Sequence, residues 1–154
     1  MRIVLSPKEL YDAARVGVAR QVLNLQSARQ DRHGFVPNPW EAHILGSVGE
    51  DAVAKITGKP WHGAATLENF KAPDVGHLQV RATSFPQGRL VLHPPDSGTV
   101  PWVCARVMGL VVDIPGWMYG HEAKKPCYWQ MVGGHKRPAF FVDNEHLHDI
   151  GTLP

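Results

Sequence analysis

Ala72-Pro73-Asp74-Val75-Gly76-His77-Leu78-Gln79-Val80-Arg81-Ala82-Thr83 is the stretch whose reading decides the fold. It opens with an acid behind a proline, bends at a glycine, and runs on as a strand over about 76–84. Alternation along that strand sets Gln79 and Arg81 on one face and turns Val80 to the core. Pro73 fixes its own φ and favours an extended entry, while Gly76 permits a bend or bulge. Asp74 and Gln79 are five positions apart, so an unbroken strand would put them on opposite faces. A bulge at Gly76 would bring them together. A carboxylate, a side-chain amide oxygen and the main-chain carbonyl of the residue between Gln79 and Arg81 are hard oxygen donors of the kind Mg²⁺ takes. Asp74, Gln79 and the Val80 carbonyl are therefore candidate metal ligands, with Arg81 as a cation for phosphate, the layout of a metal-dependent phosphodiesterase.

Upstream of this stretch the chain is helical. Ser6-Pro7-Lys8-Glu9 supplies a capping serine, a proline at the first helical position and a glutamate at the third. Apolar residues recur at helical spacing behind it, predicting a helix to about Gln30, with Arg15, Arg20 and Arg29 largely off the apolar stripe. His33-Gly34 and Pro37-Asn38-Pro39 make a linker, and Asn38-Pro39-Trp40-Glu41 starts a second helix over about 39–57, with a break allowed at Gly46. Ser47-Val48-Gly49-Glu50 repeats the start pattern inside it, so Glu50 is either a capping-box acid or a site residue.

Downstream, strands are expected at 88–93, 101–107 and 110–115, joined by Pro86-Gln87-Gly88, Pro94-Pro95-Asp96-Ser97-Gly98 and Met108-Gly109 as an antiparallel meander. Residues 116–125 would hold a short helix, and Arg137-Pro138-Ala139-Phe140-Phe141-Val142 reads as a last strand. The result is an α/β domain, one unit over 1–154, with a central mixed sheet flanked by helices and the long helix of 6–33 added to the core.

Composition sets limits on function. A chain of 154 residues with 44% apolar and 19% charged side chains is ordinary for one soluble globular domain. Its net charge of +2, from 16 basic and 14 acidic residues, gives no global attraction to nucleic acid, so any basic surface is local, as at Lys124-Lys125 and Lys136-Arg137. Cys104 and Cys127 lack a CxxC partner and read as reduced thiols, which suits a cytoplasmic location. No leader-like apolar core or membrane-length run is present. The nine histidines do not make a zinc pattern: His146 and His148 are too close to share a helix face, and no HExxH occurs. GxSxG and Walker patterns are missing as well. Trp102, Trp117 and Trp129 read as core or core-edge residues.

A helix with Glu50, then Pro73-Asp74, then Gln79-x-Arg81 on a strand, resembles the PD-(D/E)XK nuclease superfamily. More closely, Gly49 to Lys55, Asp74-Val75-Gly76, Val80 to Thr83, Gly88 to Leu92, Gly116-Trp117 and Arg137 to Val142 look like small phage-encoded proteins of that type, over about 41–145. The resemblance implies a restriction-endonuclease-like αβββαβ core and a metal-dependent DNA endonuclease or exonuclease. It implies Mg²⁺ or Mn²⁺ held by Glu50, Asp74, Gln79 and the Val80 carbonyl, with Arg81 in the place of the family's lysine. It also implies DNA as partner, the host cytoplasm as location, and a phage or host protein as recruiting partner. A two-fold dimer would be natural for a cutter of duplex DNA. Gln79 stands where the family has a carboxylate, which removes a negative charge. Arg81 stays protonated and can serve only electrostatically. The alternatives are a catalytically decayed DNA-binding or protein-interaction module, and a phage structural or host-takeover protein that uses its sheet as a surface.

Overall fold

The computed structural model describes residues 1–27, 38–63, 72–131 and 137–154, and has an α/β fold with a mixed sheet and two long helices, the second of which packs on the sheet. After a short strand β1 (Arg2–Val4), helix α1 spans Pro7–Gln26. Its capping box is formed as the sequence predicts: the Ser6 hydroxyl accepts from Glu9 N at 3.2 Å, and Ser6 N donates to the Glu9 carboxylate at 2.6 Å. Helix α2 spans Pro39–Thr57, capped by the Asn38 side chain and ended by Gly58, whose φ of 65° is the left-handed conformation glycine accepts readily. It passes Gly46 without a break. The helix expected to about Gln30 ends at Gln26 with Ser27 as its cap, and residues 28–30, most of the linker and Lys136 fall outside the described residues.

The two helices run antiparallel, with Glu9 beside Lys55 at one end and Asn24 beside His43 at the other. Gly17 sets their separation. A Cβ built there would lie 2.6 Å from the His43 carbonyl oxygen and from the Ile44 Cα, both backbone atoms. Gly49 does the same on the opposite face of α2, where a Cβ would meet Ala82 at 2.9 Å and Ala105 at 3.2 Å. Through these two glycines α2 is pressed between α1 and the sheet.

Strands β2 (Gln79–Thr83), β4 (Pro101–Met108) and β5 (Val111–Tyr119) join β1 in the order β1-β5-β4-β2. β5 is antiparallel to both β1 and β4, and β2 is parallel to β4. This corrects the single antiparallel meander expected from the sequence. β3 (Leu90–Leu92) leaves that sheet and pairs instead with β7 (Ala139–Val142), which also pairs with β6 (Trp129–Gln130) in a second, three-stranded antiparallel sheet. Alternation of apolar residues sets which face of a strand is buried but not which strand lies beside it.

A second correction concerns residues 116–119, which continue β5 and leave only Gly120–Ala123 as helix α3. The C-terminal segment enforces this: Trp117 and His148 exchange two backbone hydrogen bonds, at 3.1 and 2.9 Å. Gly116 makes room for it, since a Cβ there would lie 2.3 Å from the His148 carbonyl oxygen.

The mixed sheet has a core on each side. Leu5, Val48, Val53, Val80, Val103 and Ile114 fill the helix side, and Leu90, Leu92, Trp102, Cys104, Met118 and Val142 fill the side toward the second sheet. Both cysteines are free; Cys127 is exposed, while burial pushes the Cys104 thiol up to about 12. None of the described helices is long and apolar enough to cross a membrane.

Gly17→Ala tests the helix contact. Alanine gains roughly 1 kcal/mol of helix propensity over glycine, but its methyl would meet backbone that yields only if the helices separate. A net loss of about 1–3 kcal/mol is expected in urea unfolding. A variant as stable as the parent would show that the close approach is unimportant.

Candidate functional site

Glu50 lies in the interior of α2, and its capping role is excluded by where the helix begins. Ser47 is not an N-cap: its hydroxyl donates back to the His43 and Ile44 carbonyls, both at 3.0 Å. The Glu50 carboxylate is buried and engaged on both oxygens. Arg20 of α1 closes a fork on it at 2.6 and 2.7 Å, and the Trp61 indole N–H donates to Oε2 at 2.9 Å.

Trp61 also links Glu50 to Asp74. The segment around Trp61 pairs with the start of the deciding stretch: Trp61 bridges Val75, His62 N donates to the Asp74 carbonyl at 3.1 Å, and Gly76 N donates to the Pro60 carbonyl at 2.8 Å. Gly76 sits at φ 56° in a tight turn closed by hydrogen bonds between Val75 and Leu78. The bend expected at Gly76 is therefore a turn that precedes the strand, not a bulge within it. β2 starts at Gln79, and His77 belongs to the turn. The turn folds Asp74 back beside the strand, where its Oδ2 accepts from Val80 N at 2.8 Å.

Among the described residues β2 is the outer strand of the mixed sheet, with β4 its one neighbour there. Val80 N–H thus points to the free edge. Because the N–H and C=O of one strand residue point to the same side, the Val80 carbonyl is directed there too.

Alternation divides the remaining residues. Val80 and Ala82 face α2, as their closeness to Gly49 requires. Gln79 and Arg81 share the other face, in register with Trp102 and Cys104 of β4. The Arg81 guanidinium lies 4.5 Å from the centre of the Trp102 ring, and its Nη2 donates to Asp96 Oδ2 at 2.8 Å. Asp96 is presented by the loop before β4. His93 N donates to its carboxylate at 2.8 Å, the Trp102 indole donates to the Ser97 carbonyl at 2.9 Å, and the Lys124 ammonium donates to the carbonyls of Pro94 and Asp96. The Nε of Arg81 is buried without a hydrogen-bond partner among the described residues.

The site therefore has two halves that meet at the edge of β2. Glu50 and Asp74, with Arg20 and Trp61, come from the helix side; Gln79 and Arg81, with Trp102 and Asp96, come from the other. Arg20, Trp61, Asp96 and Trp102 were not legible as site residues. Arg20 gave a faint signal as a cation off the apolar stripe of its helix, and Asp96 read as an ordinary turn acid. Lys55, later in α2, is an exposed charge paired with Glu9 at 2.6 Å.

Asp74 responds to both halves. Burial raises its carboxyl pKa, and the nearby Glu50 charge raises it further. The Val80 N–H and the charges of Arg20 and Arg81 oppose these effects but do not cancel them, and the group titrates at about 7. An acid held in this way is one whose charged form a cation would stabilise. Among the described residues no three His, Cys, Asp or Glu side chains gather as a metal group. A divalent ion at this edge would need neutral oxygens beside the two carboxylates; the Val80 carbonyl is of that kind, and the Gln79 amide is another, carried on the opposite face of β2. The donor set fits Mg²⁺ or Mn²⁺ in chemistry: all oxygen, two acids.

A scan against protein-family models and searches of curated proteins and of solved structures find no match to this chain.

The raised pKa makes stability depend on pH. The folded chain keeps the Asp74 proton where the unfolded chain, with an ordinary aspartate near 3.9, has released it. The stability contributed by this group is therefore complete below about pH 4 and is lost as pH rises through about 7. With divalent ions chelated, urea unfolding at pH 5 and pH 8 should show the parent losing stability relative to Asp74→Asn across that interval. An unchanged difference between the two proteins would mean that Asp74 is ionised throughout.

Proposed function

We propose that the protein is a metal-dependent DNA nuclease of the PD-(D/E)XK type, with a restriction-endonuclease-like core over about 41–145 and α1 added to it. The observation that carries the proposal is the convergence of Asp74 and Glu50 at the free edge of β2, where the Val80 backbone also points. Glu50 and Asp74, picked out by motif order and distant in sequence, come close through a glycine turn and an indole bridge.

In this reading Asp74, Glu50, the Val80 carbonyl and the Gln79 amide would hold Mg²⁺ or Mn²⁺. Such an ion would supply a water of lowered pKa and offset charge on the phosphate. The chain's own residues do the rest. Trp61 and Arg20 hold Glu50 in one orientation, and Val80 N–H fixes one oxygen of the Asp74 carboxylate. Arg81 donates to a phosphate oxygen; as a guanidinium it cannot take a proton from water. Trp102 beneath it and Asp96 beside it fix its plane, so little side-chain freedom remains to be lost on binding.

A second reading is a DNA-binding module that has lost catalysis. Its support is the occupation already present: Glu50 is hydrogen-bonded on both oxygens, and Arg81 is paired with Asp96.

Incubation with plasmid, linear and single-stranded DNA in Mn²⁺, beside Asp74→Ala, separates the two. The nuclease reading expects cleavage that falls at least about a hundredfold in the variant, in line with the loss of a group that acts on the transition state. Equal behaviour of the two proteins would sink it. A DNA shift without cleavage that weakens steeply with salt would favour the binding module.

A further inference from the structure

Arg20 does not belong to the motif that singles out the site, and it comes from the helix added to the core. Yet its guanidinium makes the tightest contact the acid pair has. The fork on Glu50 at 2.6 and 2.7 Å is largely buried, with the Arg20 side chain 17% exposed and Glu50 6%. A carboxylate has about four lone-pair positions. Arg20 takes one on each oxygen and Trp61 takes the second on Oε2, which among the described residues leaves Glu50 a single position on Oε1. The positive charge of Arg20 also acts on Asp74. A permanently charged group thus already occupies much of the coordination capacity a metal would use, and it cannot release its charge by losing a proton.

We propose that Arg20 is the built-in counter-cation of the Glu50–Asp74 pair and competes with a divalent metal for it, so that helix α1 sets the metal affinity of the site; this rests on the metal-site reading given above. Two physical effects act in the same direction. A divalent ion entering beside the guanidinium meets like-charge repulsion in a poorly solvated place, and it finds Glu50 with one lone pair to offer. Without Arg20 its repulsion is gone and Glu50 regains a lone pair on each oxygen, while Arg81 remains the cation that acts on Asp74. The Gly17 contact places this cation: it brings α1 close to α2 one turn before Arg20.

The test is Mn²⁺ titration of the full chain by calorimetry, with folding checked by circular dichroism, for the parent, Arg20→Gln and Arg20→Lys. Arg20→Gln is expected to bind Mn²⁺ at least about tenfold more tightly than the parent. Arg20→Lys keeps the charge but trades the fork for a single-point contact, so its gain should be smaller, about two- to fivefold. If Arg20→Gln fails to fold, Arg20→Lys alone decides the matter by the sign of its change. Affinity unchanged or weaker in the folded variants, with the parent binding Mn²⁺, overturns the role of Arg20 and leaves the metal site standing. No binding by any of the three proteins overturns both.

Discussion

The buried carboxylate of Glu50 is the constraint on which the rest of the structure depends. A charge in that position is tolerable only if it is paired and hydrogen-bonded, and leaving such a group without its partner typically costs about 3–5 kcal/mol. Arg20, thirty residues earlier, and Trp61, eleven residues later, meet that demand. In doing so they tie α1 to α2 and α2 to the segment that pairs with Val75. Gly17 and Gly49 are the small residues that let these elements come close enough for the contact.

From that anchor the edge of the sheet follows. Trp61 holds the Val75 turn, the turn folds Asp74 onto β2, and the Val80 N–H fixes its carboxylate. Two acids end up sharing a poorly solvated corner in which ionising both is unfavourable. On the opposite face a cation, Arg81, is held over Trp102 by an acid from a loop that Lys124 and the Trp102 indole fasten in turn. Each half of the site is rigid for reasons that are visible in its own neighbours. Such rigidity suits a group that must be pre-positioned for a ligand, since the ordering cost is met on folding and not on binding.

Much of this was legible in the sequence where the cause is local. The start of α1 could be read from Ser6-Pro7-Lys8-Glu9 because a capping box needs only adjacent residues, and the end of α2 from the glycine at 58. The division of β2 into a Val80 face and a Gln79–Arg81 face follows from the pleat alone. The pairing of β2 with β4 in parallel was not legible, because β3 departs to a second sheet whose other two strands lie beyond residue 128. The partner of Glu50 was hidden for the same reason: nothing near position 50 points to Arg20, and the nearer serine offered a plausible cap. Only the unbroken passage of the helix through Gly46, which leaves Ser47 in its interior, removes that alternative. Asp96 looked like a turn residue and is one, and its second task depends on a strand distant in sequence.

The central claim is that the edge of β2 between Asp74 and Glu50 is a cation site. Anomalous diffraction from crystals grown or soaked in Mn²⁺ tests it most directly. The account predicts one peak bonded to an Asp74 oxygen and to the Val80 carbonyl at about 2.0–2.6 Å, the range of hard-cation to oxygen bonds. A saturated crystal with no peak at that edge, or with its manganese elsewhere on the protein, would contradict it.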